Sequence, residues 1–465
     1  MNDALCRESI ASLAPRIERR DISPTELTQA TLERIERLNP TLNAFLTVTA
    51  EQALEQARGA EAEIAAGNYR GPLHGIPISL KDLYLTKGIR TTGGSKILGD
   101  WVPDIDSAVG ERLRDAGAVM LGKNHMHEFA FGTTNLSPHY GPALNPWDQG
   151  RVTGGSSGGT AVAVATGMSQ MSMGSDTGGS IRMPASFCGV SGIKATYGRV
   201  SKYGALPLAW SMDHTGPLAR SAEDLAIVLN AIAGYDPRDP TTVERPVPDF
   251  RSNLNQGVSG LRLGVIQEYM DNTVDAESVS ATRAAIAELE KLGVKVDDVS
   301  FQDVTGFLGA ATTILHAEGA AYHAKWLMER PQDYSPAVLE RLQVGSVLPA
   351  IDYVNAQRAR RIIVDRALSI MGRFDALVCT TMPVLPPLLE EGNRPEIHGN
   401  LARHTRLFNL LGFPTASYPC GFSATGLPIG LQVAGRPWDE PTVLRIGHAY
   451  QQATDWHNRW PAVAN

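Results

Sequence analysis

"GSDTGGSIRMPAS" occupies residues 174–186. It follows Gln170–Met173, a short apolar run that reads as a strand. Gly178 and Gly179 are what a tight turn asks for, because glycine adopts backbone angles closed to other residues. A turn by itself requires neither Asp176, nor Ser180, nor Arg182. Either Ser180 closes a turn or it attacks a substrate.

Working outward, the chain upstream carries "TGGSSGGT" at 153–160. A phosphate-binding loop would need a lysine before the closing Ser/Thr, and none is present. Gly155 to Gly159 also fits G-x-S-x-G around Ser157. That elbow must follow a strand directly, whereas residues 145–151 are loop chemistry with Pro146 and Gly150. Further upstream, His125-Met126-His127 follows a strand candidate at 118–121. Two histidines at a strand end can hold a divalent ion, but more ligands are needed. His214, His316, His323 and His404 do not fall at clear strand ends, so no metal site is assigned.

The remaining constellation joins Lys81, Ser156 and Ser180. A serine hydroxyl needs a base, and no histidine lies in this Gly/Ser-rich core. A lysine serves when burial drives it neutral, and Lys81 ends the apolar run 76–80. Consecutive N–H groups at 177–180 could hold a developing oxyanion. On residues alone, a surface lysine and a Gly-Gly-Ser turn remain the competing reading.

The rest of the chain gives the frame. It has 465 residues, 43% hydrophobic and 20% charged, as in an ordinary globular protein. A net charge of −7 leaves no overall basic excess for a nucleic-acid backbone. Cys6, Cys188, Cys379 and Cys420 are too sparse for a disulfide framework, which fits a reducing compartment. The N-terminus shows no signal-peptide pattern and no run of about 18 apolar residues occurs, so a cytoplasmic location is expected.

Residues 3–67 read as helical. Ser23-Pro24-Thr25-Glu26 is a capping box with proline at the first helical position, and Leu27, Thr31, Ile35 and Leu38 share one face. A second helix is expected at about 50–66. Beyond, strand candidates at 76–80, 118–121, 261–266, 294–299 and 376–379 alternate with helical patterns at 109–116, 160–167 and 276–292. This predicts an α/β fold with a central mixed, twisted sheet covered by helices on both faces. The expected organisation is an N-terminal helical segment, 1–70, packed on one large catalytic domain, 71–465. Within it, 235–258 is a long connection and 304–370 a helical elaboration.

Residues 150–201 closely resemble the signature region of the amidase signature family of serine hydrolases. The resemblance rests on Gly-Gly-Ser-Ser-Gly-Gly at 154–159, Asp-Thr-Gly-Gly-Ser-Ile-Arg at 176–182 and Lys81-Asp82 after Gly-Ile-Pro-Ile at 75–78. It continues through Asp213-His214-Thr215-Gly216-Pro217, 412–414 and 426–432. It implies Ser180 as nucleophile, Ser156 as a bridging serine after a cis peptide bond, and Lys81 as terminal base. It further implies Thr177, Gly178, Gly179 and Ser180 as oxyanion donors, with Ser157, Asp176 and Arg182 supporting them. His125 departs from the asparagine common in relatives, at a position of structural support.

The activity implied is cleavage of small-molecule amides, carbamates (urethanes) or esters through an acyl-enzyme, with no cofactor. The alternative is the A subunit of glutamyl-tRNA(Gln) amidotransferase, which releases ammonia from glutamine within a complex. The apolar 205–210 run, with Trp210 as a candidate pocket residue, favours the first. The expected partners are then a small amide and, at most, a second copy of the chain, with no nucleic acid unless the alternative holds, and no membrane. Arg358, Arg360 and Arg361 are expected on a solvated helix face. Because a Ser/Lys set needs no ion, dialysis against EDTA is expected to leave activity unchanged; loss of activity with recovery on adding Zn²⁺ would revive His125 and His127 as ligands.

Overall fold

Ser23 shows how local chemistry starts an element. Its hydroxyl accepts from the Glu26 N–H at 3.0 Å, Pro24 takes the first helical position, and the helix Pro24–Leu42 follows. Its buried face contains Leu27, Thr31, Ile35 and Leu38. The computed structural model describes residues 3–301 and 308–464.

Among the described residues eleven strands form one mixed sheet flanked by helices. They are β1 Phe45–Val48, β2 Pro77–Lys81, β3 Val119–Asn124, β4 Met171–Asp176, β5 Ser191–Lys194, β6 His214–Ala219, β7 Arg262–Ile266, β8 Lys295–Val299, β9 Ala376–Thr380, β10 Thr415–Phe422 and β11 Pro428–Gly435. Their order is β1-β3-β2-β4-β6-β5-β10-β11-β9-β7-β8. β3, β2 and β4 run parallel, as do β9, β7 and β8, while β6, β5, β10 and β11 join these groups by antiparallel pairing. The central strands β2, β4, β5, β6, β9 and β11 are buried along their whole length. Such strands read as apolar runs rather than alternating patterns.

Two parallel strands deliver the residues of interest. β2 ends on Lys81 and β4 ends on Asp176, and they are neighbours in the sheet. The loop 177–181 then leads into the helix Arg182–Cys188, so Ser180 lies on a strand–loop–helix connection. The helix stops at Gly189, which takes the left-handed conformation.

The sheet corrects the sequence reading in several places. β1 interrupts the segment read as helical and pairs antiparallel with β3. Strands β5, β6, β10 and β11 are rich in Gly and Pro, which hides their strand character. In β6, a Cβ at Gly216 would sit 2.2 Å from the carbonyl oxygen of Ile193, so glycine there admits a neighbouring backbone. In β10, Pro419 sits where the register with β11 shifts. Of the region 304–370, helices Leu308–Glu329, Pro336–Ser346 and Ala350–Met371 are seen, and 304–307 lie outside the described residues. Arg358 and Arg361 are exposed, but Arg360 instead donates to the carbonyls of Leu410 (2.7 Å) and Ser211 (3.0 Å). Among the described residues no helix is long and apolar enough to cross a membrane, and all four cysteines are free and buried.

Gly216→Ala should lower stability by about 1–3 kcal/mol through overpacking against β5; a melting temperature equal to the parent's would show that the strands separate without cost.

Candidate active site

Lys81 has no solvent exposure. Its Nζ lies 2.6 Å from Ser156 Oγ, 2.9 Å from Ser157 Oγ and 2.8 Å from Ser175 Oγ. Burial lowers its pKa to about 7, although Asp176 and Asp213 pull in the other direction. Ser156 follows a cis peptide bond from Gly155. The Ser156 carbonyl accepts from the His127 N–H at 3.0 Å.

The Ser180 loop is built around Asp176 and Arg182, both without exposure. Asp176 Oδ1 accepts from the Gly179 N–H (2.7 Å), Arg182 Nη2 (3.0 Å) and Asn409 Nδ2 (2.8 Å). Its Oδ2 accepts from the Ile181 N–H (3.1 Å) and Arg182 Nε (3.0 Å). Burial alone would raise this carboxyl's pKa. The Arg182 guanidinium and the hydrogen bonds outweigh burial and hold it well below the usual carboxylate range. Arg182 reaches on to Gln432 Oε1 of β11 (2.8 Å) and Asn409 Oδ1 (2.7 Å). Gly179 adopts φ +126°, and a Cβ there would meet Thr405 Oγ1 at 2.1 Å. That threonine donates to the Gly178 carbonyl at 2.6 Å.

The two serine-bearing loops touch through their backbones: the Ser157 N–H donates to the Ser180 carbonyl at 3.3 Å. The structure therefore brings Lys81, Ser156 and Ser157 into one hydrogen-bonded group and sets Ser180 beside it. No hydrogen bond joins the Ser156 and Ser180 hydroxyls among the described residues. Of the four N–H groups expected to serve an oxyanion, that of Gly179 is turned to Asp176.

Ser180 lines a cavity of about 290 Å³ with Phe131, Met183, Leu315, Arg341 and Arg406. Trp210 is 45% exposed, so it is no core residue. It lines a second cavity of about 310 Å³, which shares Ala130, Thr177 and Leu208 with the first. Thr177 Oγ1 donates to Asp213 at 2.5 Å between them. His125 bridges Asn135 Nδ2 (3.0 Å) and the Gly141 carbonyl (2.9 Å). Among the described residues no group of three His, Cys, Asp or Glu could hold a metal ion.

Reading the sequence missed Ser175, Asn409, Gln432 and Thr405. Ser175 carried a usable signal, since it directly precedes Asp176 and lies two residues past the strand expected at 170–173. The other three come from chain segments more than 220 residues away; Gln432 closes the 426–432 stretch of the resemblance, but nothing there pointed to Arg182.

The Amidase family profile matches residues 26–444. The chain belongs to this family. The glutamyl-tRNA(Gln) amidotransferase A subunit of Methylococcus capsulatus is 42% identical, over 98% of this chain and 99% of its own. Among solved structures, a chain from a vestigial protein complex bearing on the origins of an s-triazine catabolic enzyme superposes with TM-score 0.91 at 34% identity, covering 96% of this chain and 98% of that one. The native peptide amidase of Stenotrophomonas maltophilia gives TM-score 0.85 at 32% identity, covering 96% of each chain. The protein is thus an amidase-signature enzyme of amide C–N chemistry.

Asp176→Asn leaves Arg182 buried without its counter-charge, so a loss of about 3–5 kcal/mol in unfolding free energy is expected. Urea denaturation is the check; a change under about 1 kcal/mol would mean that the pair does not hold the loop.

Proposed function

We propose that Ser180 is the nucleophile, Ser156 the proton relay and Lys81 the base of an acyl-transfer reaction that cleaves an amide. The observation carrying this is the 2.6 Å contact between fully buried Lys81 and Ser156. Ser157 commits its proton to the Ser175 carbonyl at 3.2 Å, so towards Lys81 it accepts. A neutral amine offers two N–H groups and one lone pair, so the Ser156 O–H can donate to that lone pair. Substrate binding brings Ser180 into line with Ser156, as catalytic hydrogen bonds commonly tighten only in the complex. Ser180 Oγ attacks the carbonyl carbon as its proton passes to Ser156 and that of Ser156 to Lys81. The N–H groups of Thr177, Gly178 and Ser180 receive the oxyanion, Gly179 being committed elsewhere. The proton returns through Ser156 to the leaving nitrogen, the C–N bond breaks, and water hydrolyses the acyl-enzyme.

For the substrate, the name that the 42% identical relative carries supports the amidotransferase reading: ammonia release from glutamine within a complex. This displaces the small-molecule reading from first place. The latter keeps one specific support, the second cavity lined by Leu206, Pro207, Leu208 and Trp210 beside the nucleophile loop, which suits an apolar leaving group. The purified chain, offered glutamine, anilides and carbamates, separates them. Ammonia from glutamine at the highest kcat/KM supports the first; amine release from anilides or carbamates at higher kcat/KM replaces it with the second.

Ser180→Ala should abolish turnover of every substrate with the fold intact by circular dichroism. Lys81→Met should lose at least about 10²–10⁴ in kcat. With a lysine near 7, the neutral form dominates above that pH, so kcat/KM should fall about tenfold per unit below it. A flat profile between pH 5 and 8 would contradict the lysine base.

A further inference from the structure

The cavity that holds Ser180 also holds a guanidinium with no counter-charge among the described residues. Arg406 opens the helix Arg406–Leu411, next to Thr405, whose hydroxyl supports Gly178. Its Nη1 donates to Thr312 Oγ1 at 2.9 Å, and its buried Nε has no hydrogen-bond partner among the described residues. The same Nε would lie 3.5 Å from a Cβ on Gly178, so it flanks the nucleophile loop. Arg341 lines the cavity too and donates to the Phe131 carbonyl at 2.5 Å. Among the described residues neither arginine forms a salt bridge. Glu340, the one acidic residue lining the cavity among the described residues, is exposed.

A guanidinium taken from water without a carboxylate is costly, and a buried N–H left unmade adds to that cost. Burial brings Arg406 down to about 10, with Arg341 pushing the same way, yet at that value it stays charged at neutral pH. The remaining lining is largely apolar, so an anion entering this cavity would meet the arginine in a low-dielectric setting where charge-assisted hydrogen bonds are strong.

We propose that Arg406 is a specificity-determining residue that binds a carboxylate on the acyl portion of the substrate, so that the enzyme selects amides of dicarboxylic acids over neutral amides. This rests on Ser180 as the nucleophile and deepens that reading by naming a substrate class. Glutamine belongs to the class through its own carboxylate. The arginine's planar donor set matches a carboxylate, and a site built for such a group rejects analogues lacking it.

The test compares glutaramate with pentanamide, which have the same carbon count and differ in a carboxylate against a methyl group. The parent enzyme is expected to favour glutaramate in kcat/KM. Arg406→Met is expected to lower that ratio by about 10- to 100-fold, and Arg406→Lys to retain part of it. Direct binding is read calorimetrically on Ser180→Ala, where glutaramate should bind more tightly than pentanamide and lose that advantage in the Ser180→Ala/Arg406→Met double variant. A parent without preference, or a ratio unchanged in Arg406→Met, overturns the proposal. If Arg406→Met does not fold, a full parental ratio in Arg406→Leu or no tighter binding of glutaramate to Ser180→Ala overturns it equally. Retained turnover in Ser180→Ala strikes the nucleophile instead, because the preference ratio still judges Arg406 by itself.

Discussion

Two opposite charges shut off from solvent, Asp176 and Arg182, fix the shape of the loop around Ser180. A buried ion pair is tolerated only when its remaining donors and acceptors are met. Here the carboxylate gathers the N–H groups of Gly179 and Ile181, and the guanidinium spans to Asn409 and Gln432. The loop is thereby tied to a strand and a helix distant in sequence. The serine's position is a consequence of satisfying the pair rather than of the turn's own preference. Gly179 follows from the same constraint, because the path that brings its N–H to Asp176 also brings its Cα against Thr405.

The pair also decides the state of Lys81. Asp176 is near enough to raise the lysine's pKa, and a free carboxylate there would favour an ammonium. Arg182 already claims both carboxylate oxygens. Lys81 is left with three hydroxyls, from Ser156, Ser157 and Ser175, which can donate or accept and so suit either protonation state. Desolvation then prevails. By holding Asp176, Arg182 thus bears on the charge state of the lysine on the neighbouring strand.

How much of this was legible in the sequence depends on the range of the interaction. The helix at Ser23 was legible because its cap, first-turn proline and apolar face lie within sixteen residues of one another. Parallel strands β2, β3 and β9 were legible as short apolar runs. β6 and β11 were not, since Gly216, Pro217 and Pro428 argue against a strand unless the neighbouring backbone is known. In the site, a lysine at a buried strand end and a Gly-Gly-Ser loop suggested chemistry but left a surface lysine and a simple turn in competition. The resemblance chose between them. Asn409, Thr405 and Arg406 stayed invisible because each acts across the fold, through a contact that no local spacing encodes.

The histidines bear on the proposal that a lysine, rather than a histidine, is the base. His214, His316, His398 and His404 are all pushed below the ordinary imidazole range by burial. Several already spend a ring nitrogen on a fixed partner: His214 on the Met212 carbonyl (2.6 Å), His404 on Thr380 Oγ1 (2.9 Å) and His398 on Thr133 Oγ1 (2.9 Å). Among the described residues none is hydrogen-bonded to the hydroxyl of Ser156, Ser157 or Ser180. A base with pKa near 3 or 4 drives proton transfer weakly at neutral pH, whereas efficiency is best with a pKa close to the working pH. Burial penalises both groups in the same direction, but it starts from 10.5 for a lysine and 6.5 for a histidine. In a site this dry, the same desolvation that disables an imidazole brings an amine to about 7.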